Sequence, residues 1–189
     1  MGYKSGSLES MVISDKTSGD YIDGVHSWST RPYHDARGTF EKIFSIESQA
    51  LDSKFQLAES FITSSRQGVV RGMHVQLGQS QSARIIKVLS GEIYDVLIDL
   101  RELNAAPKIQ TREMSAALGS ALLVPPGVAH GFQALTPATI LYLSSNVHVP
   151  DLDSGVNPLS IGVEWPIEIL EISTRDLELP KLERYKNAT

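Results

Sequence analysis

Short apolar runs, broken by polar turn residues, fill the middle of the chain. Strand-like runs rich in Ile, Val and Leu occupy residues 84–89, 92–100, 121–124 and 139–143. Only Ser90 and Gly91 separate the first two runs, and this short gap predicts a tight hairpin. Many short strands between Gly and Pro turns favour an all-β barrel or jelly roll.

Helical patterns are scarce. Residues 45–55 predict one short helix, and residues 167–185 predict another. Residues 1–20 are polar and predict a loose arm or an edge strand, which could cross to a partner subunit. At 189 residues, the remainder, 21–189, is most simply one domain.

Composition and charge narrow the function. The chain has no cysteine, which removes disulfides and thiol nucleophiles and fits a reducing compartment. Its net charge of −5 gives no basic field for nucleic acid, although a few converging arginines would still suit a small anion. There is no apolar run of membrane-span length and no signal-like apolar core at the N-terminus. We therefore expect a soluble, cytoplasmic protein.

Two glycine-led motifs carry the candidate chemistry. The first is Gly-x5-His-x-Gln, from Gly68 through His74 to Gln76. The second is Gly-x5-Pro-x-Gly-x2-His, which begins at Gly119 and ends at His130. The second is a cupin motif, and the first is its partner with Gln in place of the second His. Together they predict a cupin-type double-sheet jelly-roll barrel with a few short helices and a site at its mouth.

The Gln in the first motif argues against a metal. A cupin metal site usually draws two His and a Glu from the first motif, but here only His74 is present and residues 77–81 contain no Glu. Two imidazoles alone do not close a divalent site. We expect no metal, and recruitment of His34, His148 or a carboxylate is the alternative left open.

Further motifs carry a family resemblance over residues 33–176. The chain resembles the dTDP-4-dehydrorhamnose 3,5-epimerase family, and the order and spacing of the motifs make the resemblance specific. The matching segments, in chain order, are 35–40, 71–76, 91–101, 124–132, 140–142, 162–166 and 172–176.

The resemblance implies roles for individual residues. His74 matches the general base, Asp176 the carboxylate that holds it, and Tyr142 the general acid on the other face of the sugar. His130 matches a histidine that contacts substrate, and Arg37 and Arg71 match positions that bind the nucleotide diphosphate. The full set of expected substrate-binding residues is Arg37, Lys42, Arg71, Gln76, Arg84 and His130.

The chemistry of a 4-keto sugar suits these residues. The ketone acidifies the protons on carbons 3 and 5, so a base can remove one and an acid can return one from the opposite face. A neutral imidazole suits the base, and a carboxylate fixes its tautomer. A phenol with a pKa of about 10 stays protonated at rest. We expect no cofactor. The partners implied are a nucleotide-diphosphate sugar and a second subunit of a homodimer, with an exchanged N-terminal arm as one arrangement.

Several positions depart from the family pattern. Arg84 replaces a Lys associated with polarising the ketone, and its geometry differs although its charge is kept. The other departures are Phe61–Ile62 for an Asn-His pair, Val147–His148 for two tyrosines, and Lys42 for a Glu. The retained base, carboxylate and acid with a changed lining predict the same proton chemistry on an altered sugar or nucleotide, or inversion at one carbon only.

Simpler interpretations stay open at each position. Arg37 could pair structurally with Asp35, Tyr142 could be an ordinary core residue, and Asp176 could cap a helix. For the whole chain the alternatives are a sugar-nucleotide-binding cupin without catalysis and a metal-dependent cupin enzyme.

Overall fold

Strands dominate the part of the chain that the structure describes, residues 17–45, 55–102 and 106–185 of a computed structural model. In chain order they are β1 (Thr17–Gly19), β2 (His26–Ser29), β3 (Tyr33–Asp35), β4 (Gly38–Phe40), β5 (Glu59–Ser65), β6 (Val69–Gln76), β7 (Arg84–Ser90), β8 (Glu92–Asp99), β9 (Ile109–Ser115), β10 (Ser120–Val124), β11 (Val128–Ala134), β12 (Ala138–Ser144), β13 (Asp153–Gly155) and β14 (Glu171–Ile172). Two short α-helices, α1 (Thr174–Glu178) and α2 (Leu182–Tyr185), follow the last strand.

Two sheets face each other and form the barrel. One has the strand order β1-β9-β8-β11-β6-β13, with β14 also paired to β6, and the other has the order β2-β10-β7-β12-β5. The pairings within them are antiparallel except for β14 on β6. Strands β3 and β4 form a separate two-stranded hairpin. The predicted all-β, cupin-type jelly roll with short helices is confirmed.

The main core fills the space between the two sheets. Alternate residues of each strand point inward because side chains switch faces along a strand. Burial of each large apolar side chain contributes roughly 1.5–3 kcal/mol. The largest fully buried apolar members are Ile22, Ile86, Ile93, Leu97, Met114, Leu122, Phe132 and Ile140.

The C-terminal segment covers the outer face of the larger sheet. Met73 and Val75 of β6 point away from the barrel and pack with Val156, Ile161 and Leu182. This packing holds the segment that carries α1 against β6, the strand that carries His74.

The predicted hairpin between the runs at 84–89 and 92–100 is wrong, although both strands exist. Strand β7 pairs with β10 and β12, whereas β8 pairs with β9 and β11 in the other sheet. Gly91 has a φ of +77°, and a Cβ there would lie 2.2 Å from the carbonyl oxygen of Pro137. A glycine is therefore needed here because the chain makes a sharp corner between sheets.

The two ends of the chain hold short elements. Residues 17–19 form an edge strand, β1, and residues 1–16 of the predicted arm lie outside the described residues. The helix predicted over 45–55 also falls largely outside them, since 46–54 are not described. The helix predicted over 167–185 is reduced to α1 and α2, because Pro180 lies between them and cannot continue a helix. None of the helices in the described chain is long and apolar enough to cross a membrane.

Candidate active site

A register shift in β6 turns two candidate site residues, Arg71 and His74, to the barrel interior. His74 pairs with His130, but Arg71 pairs with Phe132, so one extra residue lies between them on β6. His130 and Phe132 are two residues apart and share a face, so Arg71 and His74 share it too. Gly72, within the shift, has a φ of +122° and approaches β11 so closely that a Cβ would lie 2.5 Å from the Cα of Gly131.

His74 and Asp176 form a dyad, as the sequence predicted. His74 Nε2 lies 2.7 Å from Asp176 Oδ1, and the Gly72 N–H donates to Asp176 Oδ2 at 3.1 Å. Ser173 caps α1 by accepting a hydrogen bond from the Asp176 N–H, so the suggestion that Asp176 itself is the cap is wrong. Burial raises the pKa of Asp176, but hydrogen bonds from His74, Gly72 and Ser173 and the charge of His74 outweigh it, and the pKa lies below its ordinary value.

His130 makes a second histidine–carboxylate pair deeper in the barrel. Its Nε2 lies 2.6 Å from Asp95 Oδ1, and both side chains are buried. Burial lowers the pKa of His130, and the positive charges of Arg84 and His74 act in the same direction, while Asp95 acts in the opposite one. His130 therefore favours its neutral form.

Tyr142 projects from the opposite sheet into the same interior. Its ring is buried, with the His130 ring centroid 6.0 Å away. Phe61, its direct neighbour on β5, stacks on it with centroids 4.8 Å apart and an interplanar angle of 10°. Burial raises the pKa of Tyr142 well above its usual range, so the phenol keeps its proton at neutral pH.

Arg84 brings a positive charge to the region between the two histidines. Its terminal nitrogen donates to the backbone carbonyls of His74, at 3.0 Å, and Val128, at 3.3 Å. Its Nε is buried and has no acceptor among the described residues. Burial lowers the pKa of Arg84, but an arginine keeps its charge.

Arg71 and Gln76 lie toward opposite ends of β6, the strand that carries His74. The exposed Arg71 donates through Nε to Ser65 Oγ at 2.9 Å. Gln76 is committed to the neighbouring loop: its amide nitrogen lies 3.0 Å from Asp153 Oδ1 and 3.1 Å from His148 Nδ1, and its oxygen accepts from the Val149 N–H. In the described part of the chain, no three His, Asp or Glu side chains gather as possible metal ligands.

Comparison with known proteins agrees with this geometry. A sequence model of the dTDP-4-dehydrorhamnose 3,5-epimerase family matches residues 20–184. The chain belongs to this family. The family predicted from the sequence, and with it the enzyme class of isomerase, is thereby confirmed.

The proteins to which this chain is similar include both 3,5-epimerases and 3-epimerases. The dTDP-4-dehydrorhamnose 3,5-epimerase of Methanothermobacter thermautotrophicus is 32% identical over 166 residues, covering 82% of this chain and 88% of the relative. The dTDP-4-dehydro-6-deoxyglucose 3-epimerase of Streptomyces bikiniensis is 31% identical over 172 residues, covering 85% of this chain and 86% of the relative. A crystal structure of a 3'-monoepimerase from the same species, in complex with dTDP-quinovose, superposes with a TM-score of 0.80 at 29% identity, covering 88% of this chain and 87% of that one.

Two residues expected to bind substrate do not join the cluster in this epimerase-family chain. Arg37 pairs with Asp35 at 2.5 Å within the β3–β4 hairpin, and every residue from 31 to 40 is exposed. Lys42 is exposed in the segment after β4. Within one subunit, Arg37 therefore pairs structurally with Asp35, which was the alternative to substrate binding.

The fold brings to the site three residues whose roles were not predicted from the sequence. Asp95 lies within the matching segment 91–101, and a carboxylate inside the apolar run 92–100 was the signal that could have identified it. Phe61 was noted only as a departure, and its stacking on Tyr142 follows from the pairing of β5 with β12. Arg112 carries a comparable signal, a charge at an inward-facing position of β9, where it lies opposite Asp95.

Proposed function

We propose that this chain epimerises carbon 3, carbon 5 or both of a nucleotide-linked 4-keto-6-deoxy sugar for deoxysugar biosynthesis. His74 is the base and Tyr142 is the acid. The observation that carries the proposal is that the two candidate groups lie on opposite sheets. His74, bound to Asp176, lies on β6, and the buried, protonated Tyr142 lies on β12 of the other sheet. A sugar between the two sheets would meet a base on one face and an acid on the other, which is what inversion requires.

Each step uses a group of this chain. His74 removes the proton next to the ketone, and Asp176 stabilises the imidazolium that forms. Negative charge develops on the ketone oxygen, and Arg84, whose buried Nε–H has no acceptor among the described residues, is suited to stabilise it. Tyr142 delivers a proton to the other face of the carbon. The positive charge of Arg84 favours the tyrosinate left behind.

The nucleotide diphosphate suits Arg71, which lies exposed on the inner face of β6. Arginine makes paired hydrogen bonds to phosphate oxygens. Arg37 and Lys42 would reach a diphosphate only in a homodimer whose β3–β4 hairpin extends to the partner's site. The exposed aromatic pair of this hairpin, Tyr33 opposite Phe40, supports such a contact. We place the activity in the cytoplasm, in keeping with a chain that lacks cysteine.

Proton NMR of dTDP-4-keto-6-deoxyglucose with the protein in deuterium oxide tests the proposal. We expect enzyme-dependent loss of the proton signal at carbon 3, carbon 5 or both, which also identifies the carbons involved. A His74→Asn protein should lose this exchange, and the matched control is His26→Asn, because His26 lies exposed on β2. Tight binding of dTDP-sugar and of its CDP-linked counterpart without exchange of either would replace the proposal with a binding-only cupin.

A further inference from the structure

Three ionisable side chains lie together in the apolar barrel interior. Asp95, Arg112 and His130 have exposed fractions of 0%, 2% and 4%. Asp95 and Arg112 are direct cross-strand neighbours on β8 and β9, so their side chains share the inner face. A charge in such a place is strongly unfavourable unless an opposite charge balances it.

The two oxygens of Asp95 serve different partners. Oδ1 lies 2.6 Å from His130 Nε2. Oδ2 lies 3.8 Å from Arg112 Nε. Neither of these two atoms makes a hydrogen bond among the described residues. The guanidinium of Arg112 is fixed at its other end by donation to Gln110 Oε1. Arg112 therefore acts on Asp95 as a fixed charge beside it rather than through a hydrogen bond.

Burial is the largest cause of the lowered pKa of His130, and the surrounding charges add to it or oppose it. If Asp95 had only the histidine beside it, the buried carboxylate would favour an imidazolium as its counter-charge. With Arg112 present, the carboxylate is already neutralised. The other groups facing His130 are Arg84 and His74, which oppose a further positive charge, and the protonated phenol of Tyr142.

We propose that Arg112 is a positioning residue for the epimerase reaction: it serves as the counter-charge of Asp95 and so keeps His130 a neutral imidazole. The proposal rests on the proposed function for its catalytic meaning. A neutral His130 whose Nε2–H is donated to Asp95 keeps a lone pair on Nδ1, which makes this nitrogen an acceptor for a sugar hydroxyl. A neutral His130 also adds no second positive charge near His74. Such a charge would lower the pKa of His74 and weaken it as a base.

NMR titration of the histidine ring nitrogens tests the proposal on the protein alone. The His130 signals are assigned with a His130→Asn variant. In the natural protein we expect a neutral His130, protonated on Nε2, at pH 7 and above. In Arg112→Gln the titration midpoint should rise by on the order of one pH unit, because one buried unit charge is lost. Arg112→Lys keeps the charge and should titrate like the natural protein.

Kinetics provide a second readout that a purely structural role would not move. In the Arg112→Gln protein the acid limb of the kcat profile should move up by about one pH unit, with a loss of up to about tenfold on that limb, and raising the pH should restore kcat as His130 loses its proton. The matched control is Arg101→Gln, which removes an exposed arginine paired with Asp99. A loss of kcat that is the same at every pH would overturn the positioning role.

The titration separates this proposal from the proposed function because it needs no substrate. An imidazolium at His130 in the natural protein at pH 7 would overturn the role of Arg112, even if Arg112→Gln does not fold. An unmoved midpoint in a folded Arg112→Gln protein would do the same. A protein with the expected titration but no proton exchange on any ketosugar would support the charge assignment and overturn the proposed function.

Discussion

Phe61 covers one face of the Tyr142 ring: the two rings lie 4.8 Å apart with their planes 10° from parallel. Phe61 itself remains 39% exposed, so it stands between the phenol and the solvent. Such a pair contributes about 0.5–1.5 kcal/mol beyond the burial of its area. The covering ring also shields the phenol that we assign as the acid.

Replacing Phe61 by Ala should therefore change the pH dependence of the reaction. Burial is the largest cause of the raised pKa of Tyr142, so admitting water should lower this pKa toward about 10. The alkaline limb of the kcat profile should move to lower pH. Ile62→Ala is the control, because Ile62 is exposed and points to the opposite face of β5. An alkaline limb that stays in place would show that Phe61 does not protect the acid.

A Tyr142→Phe variant should separate proton removal from inversion. His74 can still remove the substrate proton and return deuterium to the same face, so isotope exchange should continue within about tenfold of its natural rate. Formation of the inverted sugar should fall by about 10²–10⁴-fold, because the acid on the other face is gone. Both quantities come from one NMR time course. Tyr94→Phe, a tyrosine that packs with Trp165 outside the barrel interior, should leave both unchanged. Equal losses of exchange and inversion in Tyr142→Phe would contradict the assigned roles.

The dyad should also shape stability at acid pH. The pKa of Asp176 is lower in the folded chain than its ordinary value of about 3.9, so its ionised form stabilises the fold. This contribution is present above about pH 4 and is lost as the pH falls through the lower, folded-state pKa. Asp176→Asn should cost about 1–3 kcal/mol at pH 7 and should flatten the fall in stability below pH 4. Urea unfolding at pH 7, 4 and 3 measures both, and parallel curves for the two proteins would refute the expectation.

Removing Glu41 should destabilise the fold more than removing Lys87, its partner in a salt bridge. Lys87 Nζ lies 3.0 Å from Glu41 Oε1, and the Lys87 side chain is almost fully buried whereas that of Glu41 is partly exposed. Glu41→Gln leaves a buried ammonium without its counter-charge and should cost about 3–5 kcal/mol. Lys87→Met replaces that ammonium by an apolar group and leaves a carboxylate that water can reach, so its cost should be at most about 1 kcal/mol. Urea midpoints compare the two variants, and the reverse order would show that Glu41 is the more costly group to leave unpaired.

Local sequence pattern predicted the strands but not how they pair. The runs at β7 and β8 were visible because apolar β-formers recur between turn residues. Their adjacency suggested a hairpin, yet Gly91 lets the chain cross from one sheet to the other. Which strand lies beside which depends on contacts between distant segments, and a two-residue gap carries no information about those contacts.

The site residues likewise fall into those that local sequence motifs predicted and those that depend on how strands pair. His74, Asp176 and Tyr142 were predicted because their motifs keep a fixed order and spacing. Asp95 and Arg112 were missed because their meaning comes from lying opposite each other on β8 and β9. Arg37 matched a motif as well, but it pairs with Asp35 on an exposed hairpin, because a motif position does not by itself bring a side chain to the cluster.

Asp176, the carboxylate to which we assign the orienting of His74, lies in α1, after β14, whereas His74, His130 and Tyr142 all lie on earlier barrel strands. During synthesis on a ribosome, every strand of the barrel therefore emerges before the group that completes the dyad. By the proposed mechanism, activity therefore requires the chain through α1. A protease that cut between β14 and α1 would separate His74 from its partner while leaving every described strand of the barrel in place.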